Sequence, residues 1–161
     1  MLTHLSLAEK AQAYLECSGT FHVSFARLVL RQCSLTSACC KYMMSSFKNN
    51  QSLQSLVLSF NRRMDGGVIL LCSALAGADC SLLVLEPEHC WFTSASCHAL
   101  ASMLCKHKKL RYLDLSKHII GLNGMLTLAL AFFSQRRAEE VVLKKKSNDS
   151  VGMHIRLQGP E

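Results

Sequence analysis

Leucine recurs along this chain in short clusters with a constant internal spacing, and mostly polar residues fill the positions between them. The pattern L-x-x-L-x-L-x-x-(N/C) occurs at 53–61 and, with one substitution each, at 25–33, 82–90 and 110–118. The last residues of these four units are 28, 29 and 28 positions apart. Such a regular period indicates an array of stacked structural repeats.

Each unit changes from a strand pattern to a helix pattern. The second and third leucines are two residues apart, so they point to one face of a short strand. The apolar residues that follow are three and four apart, which predicts helices after Thr36, Asp65 and Gly121, and a fourth with Thr93 or Ser94 as its N-cap. A repeated strand and helix cannot close a core alone. We therefore predict an α/β solenoid, a horseshoe fragment with parallel strands on its concave face and helices on its convex face.

Two weaker copies of the pattern flank the four units, at 2–10 and 138–146. The step from Lys10 to Cys33 is shorter than the steps between the later units, so the first unit is shortened. After residue 146 both the leucine spacing and the helical period end. We predict a leucine-rich-repeat domain of about five units at 1–146 and an irregular or disordered tail at 147–161.

The repeats resemble those of a known receptor family. The phrases "SLQSLVLSFN", "DGGVILLCSAL" and "CHALASMLCKHKKLRYLDLSKH" are similar to the C-terminal leucine-rich repeats of the NACHT, LRR and pyrin-domain-containing (NLRP) receptors, and the repeat type is also that of ribonuclease inhibitor. The resemblance covers roughly residues 1–146. It implies part of an innate-immune sensor that binds proteins in the cytoplasm and regulates inflammatory signalling, with receptor domains or signalling adaptors as partners. The pyrin and NACHT domains of such receptors do not fit in this chain.

Several positions depart from this repeat pattern, and four of them bear on how the units are held together. In the family the final Asn or Cys of a unit binds backbone groups of the turn that leaves the strand, and Lys10, His118 and Lys146 stand in its place. An imidazole can replace one hydrogen bond of an amide but is larger, so we expect the repeat that contains His118 to be loosely held. Pro87 replaces the third leucine of its unit and removes an N–H, which predicts a local defect in the strand ladder.

Composition and charge narrow the range of partners. Half of the 161 residues are apolar, nine are cysteine, and the N-terminus lacks a signal-peptide pattern, so we expect a reducing cytoplasm. The longest uncharged apolar runs fall short of the ~20 residues that span a bilayer. The net charge of +7 comes from scattered Lys and Arg, with local clusters only at 106–111 and 144–146, and no nucleic-acid-binding motif accompanies them. These features argue against a membrane span and against nucleic acid as the main partner.

The sequence offers no catalytic, metal or cofactor site. The residues available for zinc are Cys90, Cys97, His98, Cys105 and His118, and they lack the short C-x2-C spacing of structural zinc sites. No Cys–His pair has a third orienting residue nearby, and the phosphate-binding pattern G-x-x-x-x-G-K-[ST] is absent. We therefore expect a chain that is not an enzyme and that holds neither a metal nor a cofactor.

The predicted binding surface is the concave face of the strands. If the leucines point inward, the alternating residues point into the concavity, where they are basic in the second unit and acidic in the fourth and fifth, with one aromatic side chain. Such a strip of mixed sign suits a protein partner better than a polyanion. The predicted contact residues are Arg27, Arg31, Val57, Glu86, Glu88, Tyr112 and Asp114.

Three further interpretations stay open. The chain could mask a basic protein as ribonuclease inhibitor does, through Glu86, Glu88 and Asp114. It could be a basic peptide that binds nucleic acid through 106–111 and 144–146, with an affinity that falls steeply with salt. It could also be a shortened product without independent activity, which the short first unit, Pro87 and the missing polar caps favour.

Overall fold

The computed structural model describes residues 4–6, 26–47, 51–61, 65–77, 80–135, 138–145 and 151–157. In these ranges the chain forms seven strands and four helices. The strands are β1 (His4–Ser6), β2 (Arg27–Val29), β3 (Ser55–Val57), β4 (Val84–Glu86), β5 (Tyr112–His118), β6 (Ala138–Lys145) and β7 (Val151–Leu157). The helices are α1 (Ser37–Phe47), α2 (Asp65–Leu75), α3 (Ser94–Lys106) and α4 (Gly121–Gln135).

The strands form one sheet in the order β1-β2-β3-β4-β5-β7-β6, and β1 to β5 are parallel. Because the units are nearly equal in length, equivalent leucines pair in register, and Leu28, Leu56, Leu85 and Leu113 form a buried row across the sheet. The four helices pack against one another in chain order. Their apolar side chains join the leucines in a single core. This parallel sheet with helices packed against it is the α/β arrangement that the repeat pattern predicts.

Asp65 at the start of α2 fastens the start of α3. The Thr93 N–H donates to Asp65 Oδ1 at 3.0 Å, the Thr93 hydroxyl donates to Oδ2 at 3.0 Å, and the Ser96 hydroxyl also donates to this carboxylate. Thr93 is the N-cap of α3, since its hydroxyl accepts from the Ala95 N–H at 3.3 Å. The prediction of an N-cap at Thr93 or Ser94 is therefore confirmed for Thr93. A carboxylate at a helix N-terminus is also favoured by the helix dipole.

Asn61 links two neighbouring turns through four buried hydrogen bonds. Its side-chain oxygen accepts from the N–H groups of Cys33 and Leu35 at 3.0 and 3.1 Å, and its nitrogen donates to the carbonyls of Leu30 and Leu58, both at 2.7 Å. The Cys90 thiol continues this ladder by donating to the Leu58 carbonyl at 3.0 Å. Burial raises the pKa of Cys90 to about 12, so the group stays protonated and can donate.

His118 fits the ladder and makes one hydrogen bond in place of an amide, as the chemistry of an imidazole allows. That the repeat containing His118 is loosely held stays a prediction. The residue is 0% exposed, its Nδ1 accepts from the Phe92 N–H at 3.2 Å, and its ring stacks on that of Phe92 with centroids 4.2 Å apart and planes 2° apart. The bond is equivalent to the one from Leu35 to Asn61 in the earlier turn. The stacking contact explains why the larger ring is accommodated. Its Nε2 is buried, and the Pro87 carbonyl, which takes the position of Leu30 in the earlier turn, partly offsets the lowering of the ring's pKa by burial.

Pro87 interrupts the pairing of β4 with β5, as predicted. At the equivalent position in the two preceding pairs, the N–H groups of Leu30 and Leu58 donate to the next strand. Pro87 has no N–H, and the register of β4 with β5 ends at Leu85. Pairing resumes at His89, whose N–H donates to a β5 carbonyl at 3.1 Å.

The end of the sheet differs from the expectation for residues 138–161. As a repeat of the array, the unit at 138–146 would add a parallel strand directly beside β5, and the residues after 146 are predicted to be irregular. Instead β6 and β7 form an antiparallel hairpin, and β7 lies beside β5, with Leu113 opposite Ile155. The reason is visible in "VGMHIRL", where apolar residues alternate strictly, the period of a strand rather than of a helix.

Several other expectations concern residues outside the described ranges, namely Lys10, Lys146 and the shortened loop of the first unit. Of that first unit, β1 occupies the predicted strand positions. The domain limits at 1–146 and 147–161 stay a prediction. None of the helices within the described ranges is long and apolar enough to cross a membrane.

Candidate functional site

The predicted contact residues lie on what we call the open face, the face of the sheet formed by residues that alternate with the buried leucines of β2 to β5. Arg27 and Tyr112 fall in one cross-strand row, because the register joins them through residues of β3 and β4. They are therefore about 14 Å apart at the spacing of neighbouring strands. Val57 pairs with Glu86 in a second row. Residues of four successive units are thus brought onto one surface.

The exposure of these residues varies. Arg27 and Arg31 are exposed, and Glu86, Glu88, Tyr112 and Asp114 are half-buried. Val57 is only 6% exposed and offers almost no surface to a partner. We therefore leave Val57 out of the contact set proposed below.

The acidic part of the open face is partly used within the molecule. Glu88 forms an ion pair with Lys117 at 2.6 Å, and the hydrogen bond from Lys117 lowers the pKa of Glu88. The carboxylate of Asp114 accepts from the Ser116 N–H at 2.8 Å. The open face therefore presents less negative charge to a partner than the sequence of β4 and β5 indicates.

Aromatic and charged side chains gather where β2 to β5 end, and we call this group the rim cluster. The Arg31 guanidinium lies 4.4 Å from the centroid of the Phe60 ring, and the Lys117 ammonium lies 5.6 Å from it. The His89 ring is 4.7 Å from Phe60 and 5.6 Å from Trp91. Two cations near one aromatic ring are typical cation–π arrangements. The members of the rim cluster are Arg31, Phe60, Glu88, His89, Trp91 and Lys117.

An unusual backbone conformation places Phe60, His89 and Lys117 of the rim cluster at the rim. The eighth residue of each described unit has a positive φ, a conformation that side chains other than Gly rarely adopt. The next residue in each case is the ladder residue, whose buried side chain holds the turn. The eighth residues are Gln32 (φ 55°), Phe60 (65°), His89 (58°) and Lys117 (61°).

An assumption of strict alternation along each strand reveals only Arg31 and Glu88 of the rim cluster. Under that assumption Tyr112 is the only aromatic residue on the binding surface. The left-handed turn ends the alternation one residue before the ladder residue and so adds Phe60 and His89. The signal that could have revealed them is the column of large side chains at the eighth position of every unit.

A groove of about 670 Å³ lies beside the rim cluster. Its lining combines aromatic side chains with hydroxyl and amide groups. The volume falls in the range of sites that bind small molecules or the side chains of a partner. The groove is lined by Gln32, Ser34, Leu35, Thr36, Phe60, His89 and Trp91.

The cysteines offer little reactive chemistry. The eight that the structure describes are free thiols, and all but Cys105 are buried. Burial raises the pKa of Cys40 and of Cys72 to about 12, which keeps both groups protonated and unreactive. Within the described ranges, no three His, Cys, Asp or Glu side chains are grouped so that they could hold a metal ion.

Comparison with known proteins places the chain among leucine-rich repeat proteins. It is 32% identical over 133 residues to NACHT, LRR and PYD domains-containing protein 9 of Bos taurus, covering 79% of this chain and 13% of that protein. It is 36% identical over 133 residues to NACHT, LRR and PYD domains-containing protein 14 of Homo sapiens, covering 79% of this chain and 12% of that protein. It is also 40% identical over 101 residues to ribonuclease inhibitor of Sus scrofa, covering 63% of this chain and 22% of that protein.

No protein-family model matches the chain. The alignments span only 12 to 22% of the length of these three relatives. This chain is an NLRP-type leucine-rich repeat region, with repeats of the kind found in ribonuclease inhibitor.

Proposed function

We propose that the chain is a protein-recognition module of an NLRP-like innate-immune sensor and that it regulates inflammatory signalling. In this proposal the sheet curves into a horseshoe, and the open face with the rim cluster is its binding surface. The partners are receptor domains or signalling adaptors, and the module binds them without catalysing a reaction. The proposed location is the cytoplasm, a reducing compartment in which eight free thiols would persist.

The observation that carries the proposal is the rim cluster. Trp, Tyr and Arg dominate the binding energy of protein interfaces. The rim cluster places Trp91 in the lining of the groove and Arg31 over the ring of Phe60, which also lines it. Trp91 is 43% exposed, so a large apolar surface is left in contact with water. Arg31 and Lys117 are already positioned by the Phe60 ring, which lowers the entropy that they lose on binding.

The mixture of charges indicates what kind of partner fits. Arg27 and Arg31 are exposed at one end of the open face, while Glu86 and Asp114 lie towards the other. A folded protein surface with both signs complements such a pattern better than a polyanion does. The proposed contact residues are Arg27, Arg31, Phe60, Glu86, Glu88, His89, Trp91, Tyr112, Asp114 and Lys117.

The test starts with a photo-reactive amino acid at Gln32, an exposed groove residue, and at Lys108, exposed beyond the end of α3, as the control position. Proteins that become cross-linked to the photo-reactive residue at position 32, but not to the one at position 108, are then purified. Each is titrated calorimetrically against the wild-type chain. The affinity of the purified partner for the Trp91→Ala chain is then compared with its affinity for the Ile69→Ala chain. The two residues are equally exposed, at 43%, but Ile69 lies on α2.

We expect Trp91→Ala to weaken binding by roughly 30-fold, the effect of losing a typical hot-spot residue, and Ile69→Ala to change it by less than about 2-fold. Equal effects of the two substitutions would show that the rim cluster is not the binding surface. A partner whose binding neither substitution changes would lead to the same conclusion.

Masking of a basic protein is the second candidate, because the chain is 40% identical to ribonuclease inhibitor. Its test is inhibition of bovine pancreatic ribonuclease, a basic enzyme, by the purified chain. Reversal of charge in Glu86→Lys and Asp114→Lys should abolish inhibition, while the exposed Ser73→Lys on α2 should not. Absence of inhibition by the wild-type chain excludes this candidate.

A further inference from the structure

Strand β6 lies at one end of the sheet, and no strand of the described ranges pairs with its outer edge. The strand is eight residues long and pairs on its inner side with β7. Alternate residues of an antiparallel strand direct their N–H and C=O groups to opposite sides, so about four residues of β6 present both groups at the outer edge. The strand at the other end of the sheet, β1, is described over three residues. The edge of β6 is therefore the longer template for pairing with another chain.

The backbone of β6 lacks most of the features that keep an edge strand single. Such edges are commonly protected by proline, by a bulge, by short length or by charge. The strand contains no proline. Its register with β7 shifts only between Ala138 and Glu140, and the pairing from Glu140 to Lys145 is regular. The remaining protection is charge, and its arrangement decides which strand can pair here.

The charges of β6 are symmetric about Val142. In the sequence "AEEVVLKK", Glu139 and Glu140 lie three and two positions before Val142. Lys144 and Lys145 lie two and three positions after it. If two copies of β6 pair antiparallel with Val142 at the centre, every acidic position lies opposite a lysine position. Charges that repel most other strands thus match a second copy of the same strand.

Other pairings of two copies do not give this match. Parallel pairing in register would place Glu140 opposite Glu140 and Lys144 opposite Lys144, and like charges directly opposite are destabilising. The neighbouring symmetric registers are centred on Val141 or Leu143. The first places Glu140 opposite Val142, and the second places Lys144 opposite Val142. The register centred on Val142 is therefore favoured over both.

The pairing of β6 with β7 supplies no counter-charge for the lysines. Lys144 lies opposite Gly152, and Lys145 lies opposite Val151. Neither residue of β7 carries a charge. The position opposite each lysine on the outer edge is thus the one at which a cross-strand carboxylate would balance it.

We infer that β6 is a self-association edge, on which β6 of a second copy of this chain pairs antiparallel about a twofold axis at Val142. Each contact then occurs twice, and the central ones join Glu140 to Lys144. Apolar positions also meet, because Val141 lies opposite Leu143. One sheet continues through both copies. The inference does not depend on the proposed role of the open face, which is formed by β2 to β5.

The size of the contact sets the expected strength. A single pair of strands buries less than the ~800 Å² per partner of a standard interface, so the dimer should be reversible. We expect a dissociation constant on the order of 10 to 100 µM. Two copies that each carry a net charge of +7 repel one another overall. Association therefore requires a local match of charge such as that of β6.

Sedimentation velocity of the full chain from 1 to 200 µM, under reducing conditions, tests the inference, and we expect a shift from monomer to dimer. Lys144→Glu places like charges opposite each other twice and should weaken the dimer roughly 30-fold. The matched control is Lys41→Glu, at an exposed position of α1, which lowers the net charge by the same amount. Because a lower net charge by itself favours association, the control should not weaken the dimer.

A mixture of two variants separates the matching of charges from damage to the fold. Glu140→Lys alone should weaken the dimer, as Lys144→Glu does. When the two variants are mixed, every position of opposite charge is restored between the copies, so a heterodimer should form. Lys144→Ala is the milder variant: it removes charge without adding repulsion and should weaken the dimer by roughly 5-fold. Circular dichroism melts check that each variant is folded.

Three outcomes would overturn the inference. The first is a wild-type chain that stays monomeric up to 200 µM. The second is association that neither Lys144→Glu nor Lys144→Ala weakens, which would locate the contact elsewhere. The third is a mixture of the Lys144→Glu and Glu140→Lys chains that associates no better than either variant alone, since the two strands would then not meet in this register.

Discussion

His118 should make the stability of this chain depend on pH. In the folded state its ring is 0% exposed, and burial lowers its pKa from 6.5 to about 4. In the unfolded chain the ring is hydrated and binds a proton near pH 6.5. Protonation therefore favours unfolding. The contribution of the neutral ring is fully present above pH 6.5 and is lost as the pH falls through the window from 6.5 to 4.

The size of the effect follows from the two pKa values. The difference between 6.5 and about 4 corresponds to about 3 kcal/mol in total, and to about 2 kcal/mol at pH 5.0, where the buried ring is still mostly neutral. This amount is a large fraction of the stability of a small domain, which is typically about 10 kcal/mol. It should thus be measurable without special conditions.

The assay is urea unfolding followed by circular dichroism at pH 7.5 and 5.0. It compares the wild-type chain, His118→Asn, and His98→Asn, a control at an exposed position of α3. The quantity compared is the loss of unfolding free energy between the two pH values, because packing changes caused by a substitution are present at both and cancel. The wild-type and the control should lose about 2 kcal/mol more than His118→Asn. An equal loss in all three would refute the reasoning, since His118 would then not be held neutral by burial.

Two substitutions, each compared with a control substitution, test the packing of the repeats through the midpoints of urea unfolding. Asn61→Ala leaves buried backbone groups without their four hydrogen bonds and should cost about 4 kcal/mol, whereas Asn123→Ala, exposed on α4, should cost less than about 0.5 kcal/mol. Similar costs would argue against the ladder. Gly124→Ala would place a Cβ 2.5 Å from Ile120 and should cost about 2 kcal/mol. Gly66→Ala meets only the end of a serine side chain, at 2.9 Å, and should cost less than Gly124→Ala; the reverse order would contradict this packing.

The strands and helices could be predicted because the information for each is local. The helix α1 begins directly after Thr36, as its apolar spacing indicates, and β2 to β4 occupy the same three positions of their units. Spacings of two residues and of three to four residues reflect the geometry of a single strand or helix. Pro87 was equally readable, since a missing N–H has the same consequence in any parallel strand.

His118 and the C-terminal hairpin could not be predicted in the same way. Whether an imidazole fits the ladder depends on Phe92, which lies far earlier in the chain and whose ring provides the stacking surface. The alternation in 151–157 indicates a strand, but its partner is decided by competition between β6 and β7 for the edge of β5. Both outcomes depend on contacts between distant parts of the chain.

By itself the sequence determined the period of the array, the composition of its leucine core and the order of strand and helix in each unit. Repeats of nearly equal length bring equivalent leucines into register without further information. The tertiary structure alone decided which polar residues reach the surface together. Left-handed turns at Phe60 and His89 direct their side chains to the rim, and the pairing of β7 with β5 ends the parallel part of the sheet. The reason is physical: a spacing specifies local geometry, whereas a surface depends on backbone angles and pairings that only packing between repeats can select.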